Sequence, residues 1–245
     1  MTQGVFSSIT RMGTIEPFDL QVARGQITGH STVNIYGYQS NVATAFIPIW
    51  EINGDYTYPV AATQMHLIGT GADTAKVLIS GLDANYNMIS ETVTLNGTSN
   101  VTTTNAYFRI NGMQVTSGNP ANSVVLQNLT NTVTYAKIAA GVGRTQSAIY
   151  TVPAGYTFYL QRINIYTSLN GNKYAIYRNK TVTSNGVITL TQQAPFPVNY
   201  DSLRIMPRPF LEKTDIQLQG KIDTGSGEIA ISQEGYLIKN YSVNA

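Results

Sequence analysis

Residues 88–95 set a pattern that most of the chain repeats. Ile89, Val93 and Leu95 fall on one side of a period-two alternation and Ser90, Thr92 and Thr94 on the other, which predicts a strand with one buried and one solvated face. Glu91 alone interrupts the apolar side. Before this strand, Asp83-Ala-Asn-Tyr-Asn supplies side chains that bond their own backbone and favours a turn. After it, Asn96-Gly97 suits a two-residue hairpin turn that needs positive φ.

The same alternation predicts strands over residues 64–69, 75–80, 106–110, 124–126 and 133–138, with turns at Gly69-Thr-Gly71, Asn111-Gly112 and Ser117-Gly-Asn-Pro120. A short strand is expected around Val33 and Ile35, between glycines. Beyond the small, glycine-rich crossing Ala139-Ala-Gly-Val-Gly-Arg-Thr145, a strand beginning at Ala148 closes in a turn at Pro153. In the long apolar stretch that follows, Tyr156, Phe158 and Leu160 occupy even positions but Ile163 and Ile165 odd ones. One extra residue near Gln161-Arg162, a β-bulge, keeps both sets facing the core. Further strands are expected over 174–178, 187–191, 203–206, 215–222 and 228–238, the first two beside the turns Asn170-Gly171 and Asn185-Gly186. Pro195, Pro197, Pro207 and Pro209 lack a ladder donor and confine their segments to edges or loops. No stretch sustains a helical period, and the two halves do not repeat at a fixed spacing.

These elements predict an all-β chain of two consecutive β-sandwich or jelly-roll-like units preceded by an extended N-terminal arm. Residues 1–57 are expected to hold the arm and short strands, 58–143 the first unit and 144–245 the second. Residues 1 to about 20 offer Val5, Phe6, Ile9, Met12, Ile15, Phe18 and Leu20, too few and too irregular for a core of their own, so the arm orders by lying across a surface already folded. Trp50, the one tryptophan, sits in an apolar run and reads as a packing anchor.

Composition changes this picture by exclusion. Only 11% of residues are charged, so the surface is solvated mainly by the hydroxyls and amides of Thr, Ser, Asn and Tyr. The net charge of +2 is scattered without a basic run, which argues against nucleic acid as a partner. With no cysteine there is no disulfide frame or thiolate chemistry. No apolar run approaches the ~18 residues of a membrane span, and no secretory signal is expected.

Reactive groups are sparse. Asp83-x-Asn85-x-Asn87 matches the opening of a helical calcium loop, but Met88 and Thr94 stand where that loop needs Gly and Glu, leaving an ordinary Asx-rich turn. His30 and His66 lie in separate segments, with no nucleophile elbow for a triad and no ligand-spaced cluster for a metal. Asp55, Asp83, Glu91, Glu212, Asp215 and Glu234 mostly adjoin turns. Neither catalytic residues, nor a cofactor, nor a metal site is expected. Sixteen tyrosines supply rigid amphipathic area of the kind used in recognition, yet Tyr156, Tyr174 and Tyr236 occupy strand positions expected to be inward or half-buried.

Several motifs together resemble a group of structural proteins of tailed bacteriophages, especially those of aquatic hosts. They are Ala23-Arg-Gly followed by Gly29, Ile49-Trp50 leading to Tyr56-Thr-Tyr-Pro59, and Gly81-Leu-Asp-Ala-Asn-Tyr-Asn with Ile89-Ser-Glu-Thr-Val-Thr-Leu-Asn-Gly97; Tyr150-Thr-Val-Pro-Ala-Gly155 and Glu212-Lys-Thr-Asp-Ile216 complete the set. The resemblance implies a virion component without catalysis, assembled in the host cytoplasm and repeated many times on the particle. It leaves head, neck and tail open. The leading expectation is a head decoration or cement protein, a homo-oligomer with a trimer favoured, contacting the major capsid protein or other virion proteins. In that reading the arm grips the shell through Phe6 and Phe18, since aromatics carry a disproportionate share of interface energy. The alternatives are a neck, baseplate or tail component, and a host-glycan-binding module using the tyrosines of the second unit.

Overall fold

The two long alternating runs at 156–165 and 228–238 pair with each other and organise the largest of the sheets. The computed structural model describes residues 16–169, 173–192 and 195–241. One short helix, α1 (Phe18–Ala23), precedes β1 (His30–Val42) and β2 (Ile47–Pro48). Next come β3 (His66–Gly69), β4 (Lys76–Leu82), β5 (Met88–Thr94), β6 (Val101–Thr102), β7 (Arg109–Ser117), β8 (Val124–Gln127) and β9 (Thr134–Ile138). The described chain then runs through β10 (Ile149–Thr151), β11 (Tyr156–Thr167), β12 (Ala175–Val182), β13 (Ile188–Gln192), β14 (Asn199–Phe210), β15 (Asp215–Ile222) and β16 (Gly227–Lys239). The chain is therefore all-β, as its alternation predicts.

Among the described residues, four small antiparallel sheets result. Their orders are β1-β16-β11-β14; β10-β15-β12-β13 with β2 added on β15; β6-β3-β8-β9; and β5-β4-β7. The first two share one hydrophobic core, with Ile35, Phe158, Leu160, Ile165, Ile229 and Ile231 from one sheet meeting Tyr177, Ile216, Leu218 and Ile222 from the other. The last two share another, built on Leu67, Leu126 and Ile138 against Val77, Ile79, Val93 and Met113. The chain leaves the larger core after β2, builds the smaller one, and returns at β10.

That path corrects the expected organisation of residues 1–57. β1 is not a short strand of the arm: it pairs along β16 from His30↔Ile238 to Val42↔Gly227 and carries Ile35 and Val42 into the larger core. The expected strand stopped at Gly37, read as a terminator. Gly37 instead permits a close approach, because a Cβ there would lie 2.3 Å from the Ile49 carbonyl oxygen and 2.6 Å from Ala148. Helix α1 is also absent from the sequence reading; six residues are too few to display a 3.6-residue period. Its Val22 is buried, and the Tyr236 hydroxyl donates a hydrogen bond to the Asp19 carboxylate.

The bulge at Gln161 is present. Both neighbours of β11 shift register between Leu160 and Arg162, and the side chains of Leu160 and Ile163 are both buried. Two turns differ from expectation. Asn111-Gly112 lies inside β7, at a register shift against Ser80 and Gly81, with Gly112 at φ 155°. Asn96-Gly97 begins a turn closed by the Ser99 N–H on the Asn96 carbonyl, but this turn carries the chain from one sheet of the smaller core to the other and joins no hairpin. Tyr236 is buried and Tyr156 packs against the larger core, whereas Tyr174 is exposed just before β12.

Candidate assembly interface

Parts of four of the motifs, Trp50 with residues 56–59, Tyr86, residues 151–155 and residues 212–215, meet at the seam between the two cores. Arg109, at the start of β7, makes a bidentate ion pair with Asp215, the first residue of β15: Nε to Oδ1 at 2.8 Å and Nη2 to Oδ2 at 3.0 Å. Both side chains are only 10% exposed. Thr151 Oγ1 donates to Asp215 Oδ1 at 2.6 Å, while Arg109 Nη1 donates to the carbonyls of Pro59 and Phe108. The guanidinium stacks 4.0 Å from the centre of the Phe108 ring and 4.6 Å from that of Tyr58. Burial alone would lower the pKa of Arg109, but the Asp215 carboxylate overrides it and the net shift is upward.

Around this pair, an aromatic file runs from Trp50 through Tyr56 to Tyr58, with successive ring centres 5.0 and 4.9 Å apart. Asn111 acts as a backbone substitute at the same seam. Its Nδ2 donates to the Thr151 carbonyl and its Oδ1 accepts from the Thr151 N–H. The Ala154 N–H donates to the Tyr86 carbonyl, and the Gly155 N–H to Glu212 Oε2 at 2.6 Å. With its charges paired and its aromatic rings packed, the seam is a structural joint rather than a site open to a substrate. The cleft beside it, of about 210 Å³, is lined by Val33, Tyr36, Asn111, Met113 and Arg144 among others.

The remaining acids are similarly engaged. Both oxygens of Asp83 accept hydrogen bonds from Asn85 and Asn87, which makes this loop the expected Asx turn. Glu91, the one break in its strand's alternation, accepts the backbone N–H groups of Thr104 and Asn105 at 2.8 and 3.0 Å. Glu234 accepts from Asn34, and Asp55 is exposed. His30 lies beside Phe18 with its Nδ1 near the Thr28 carbonyl, and His66 Nδ1 contacts Asn131 Oδ1. The two histidines belong to different sheets.

What the molecule leaves open is one side of the larger core, where both of its sheets end. β14 is the last strand of one sheet and β13 of the other, and Arg208 Nη1 bridges them by donating to Thr191 Oγ1 at 3.0 Å. Along β14, Leu160 pairs with Arg208 and Arg162 with Leu203, so residues 204–207 face the single residue Gln161 and bow outward. Ile205 and Met206 at the crest are 98% and 85% exposed. Leu203 on β14 and Val187, Ile188 and Leu190 on or beside β13 are exposed as well. These side chains belong to the end strands of two different sheets, β13 of one and β14 of the other. Pro207 and Pro209 remove donors from the β14 edge, which disfavours pairing with an added strand there.

Of the two aromatic anchors expected from sequence, Phe6 lies outside the described residues. Phe18 is 47% exposed on α1 and packs edge-on against Tyr236 with ring centres 5.4 Å apart. The apolar edge was missed by sequence reasoning, although Leu203-Arg-Ile-Met206 between prolines was its signal: an apolar run confined to an edge by Pro207 and Pro209 has no second layer to cover it.

No protein-family profile matches the chain, and no curated protein matches it. Among solved structures, the chain is similar to a structure of infectious bursal disease virus, Gt strain, at 11% identity, covering 92% of this chain and 83% of that one with a TM-score of 0.23. The Gx strain structure gives 12% identity, 96% and 79% coverage and a TM-score of 0.24. At these scores the likeness to viral structures carries no argument about fold or function.

Proposed function

We propose that this chain is a non-enzymatic structural protein of a tailed-phage virion, a decoration or cement protein of the head. The observation that carries this reading is the exposed apolar crest of the edge strand β14, formed by Leu203, Ile205 and Met206. Several of the phage-like motifs support it as well, because parts of them meet at a buried joint where Arg109 and Asp215 are paired. In this reading the two cores are two β-sandwich units, jelly-roll-like in build, and the molecule works as a homo-oligomer, a trimer in the first instance, seated on the major capsid protein. The N-terminal segment adds a grip on the shell, with Phe18 at its root.

The test is stoichiometric. Quantitative mass spectrometry of purified particles is expected to find this chain in copy numbers comparable to the major capsid protein. A handful of copies per particle would assign it to the neck, baseplate or tail, and its absence from particles would overturn the virion reading.

A further inference from the structure

Among the described residues, the ion pairs are Arg24–Glu16, Arg109–Asp215 and Arg162–Asp201. Arg204 and Arg208 on β14 belong to none of them. They nevertheless sit close enough for the Arg204 charge, after burial itself, to push the pKa of Arg208 down. Both charges also act on Tyr177, whose phenol is 1% exposed on the inner face of β12 and whose ring lies 5.3 Å from that of Tyr200. The Arg208 guanidinium stands 5.1 Å over the Phe210 ring and spends one N–H on Thr191. Directly opposite Thr191 in the β12–β13 ladder is Asn179, 4% exposed, whose amide nitrogen and oxygen both lack a hydrogen-bond partner. The buried Nε of Arg204 lacks one too.

Two like charges and two unmatched buried donors, Arg204 Nε and Asn179 Nδ2, are thus gathered near the ends of the two sheets, together with one unmatched acceptor, Asn179 Oδ1, and neither arginine has an ion-pair partner among the described residues. Each unmatched buried donor costs free energy and the guanidiniums repel each other, and an acceptor-only group beside them relieves both. We infer that the gap between β13 and β14 binds an oxyanion, held by Arg204 and Arg208 with the amide of Asn179. Paired guanidiniums suit such a group because their planar donor forks match carboxylate and phosphate oxygens. The oxyanion has two possible sources, a free phosphate or a carboxylate brought in by a second copy at the apolar edge. Only the second source rests on the assembly reading.

The experiment uses the isolated full chain. Inorganic phosphate or acetate is exchanged for chloride at constant ionic strength while the unfolding temperature is followed, and affinity is read by calorimetry. A saturable rise is expected with phosphate and a weaker one with acetate. Arg204→Gln and Arg208→Gln are expected to weaken affinity roughly ten- to a hundredfold, the loss of a charge-assisted bond. Asn179→Leu, which replaces the unmatched amide by an apolar group of similar size, tests the site without removing charge; it is expected to weaken phosphate binding while leaving the fold at least as stable. Sedimentation separates the sources. A free ion leaves self-association unchanged in the glutamine variants, whereas a partner carboxylate makes those variants associate less. Unfolding temperatures indifferent to both anions, with self-association equal in native and glutamine variants, would overturn the inference.

Discussion

Trp50 shows how one side chain serves two layers of the structure. Its indole is 3% exposed, its Nε1 donates to the Gly54 carbonyl at 3.2 Å, and its ring meets Tyr56 edge-on before the seam begins. Replacing it by alanine is expected to cost about 3–5 kcal/mol in urea unfolding, as for other large buried aromatics. A change within about half a kcal/mol would contradict its place in the core. Its neighbour Glu51 gives the molecule a pH dependence. One carboxyl oxygen accepts the Gln146 N–H, the other is buried without a partner, and burial raises the pKa from 4.5 to about 7. A folded-state pKa above the unfolded one means that the folded chain holds the proton more tightly. The contribution is therefore complete below pH 4.5 and is lost as pH rises through about 7, by up to about 3 kcal/mol. Glu51→Gln is expected to flatten stability across that window and to raise it at pH 8. An unchanged profile in the variant would show that Glu51 is not the group responsible.

At the scale of elements, β7 and β15 are clamped by Arg109 and Asp215, the most buried ion pair among the described residues. Arg109→Ala leaves the Asp215 carboxylate buried with Thr151 as its partner and is expected to cost about 3–5 kcal/mol in denaturant. Combining Arg109→Met with Asp215→Leu is expected to restore much of that loss, because an apolar pair removes the stranded charge. Should the single and double variants be equally unstable, the seam is held by something other than this pair. The β14 crest behaves oppositely. Ile205→Ser with Met206→Ser touches side chains already in water, so unfolding is expected to stay within about 0.5 kcal/mol of native while self-association and particle binding fall. Strands were legible in the sequence wherever alternation was local, as along 88–95, 124–126 and 215–222, and even the bulge in β11 showed as a change of phase. Positions whose role depends on a distant neighbour were not legible. Gly37 looks like a terminator until the backbone that approaches it is known, and Asn111 looks like a turn residue until Thr151 is found beside it.

The whole molecule is a chain whose first and last long strands, β1 and β16, pair along most of their length and close the larger core around a second core inserted between β2 and β10. This is why β1 reads from sequence only as a short strand: its partners on β16 lie some 200 positions away, as with Asn34 and Glu234. The insertion places the paired charges at the seam and leaves the apolar edge on the opposite margin of the same core, where β13 and β14 end both sheets. On the proposed assembly role, that exposed edge is where a neighbour is expected to sit. Cryo-electron microscopy of the particles tests this most directly. The account predicts symmetry-related copies of this chain on the head, each with Leu203, Ile205 and Met206 of the β14 crest buried against a neighbouring copy or the shell. Copies on the head with that crest standing free in solvent, or no density for the chain on the particle at all, would contradict it.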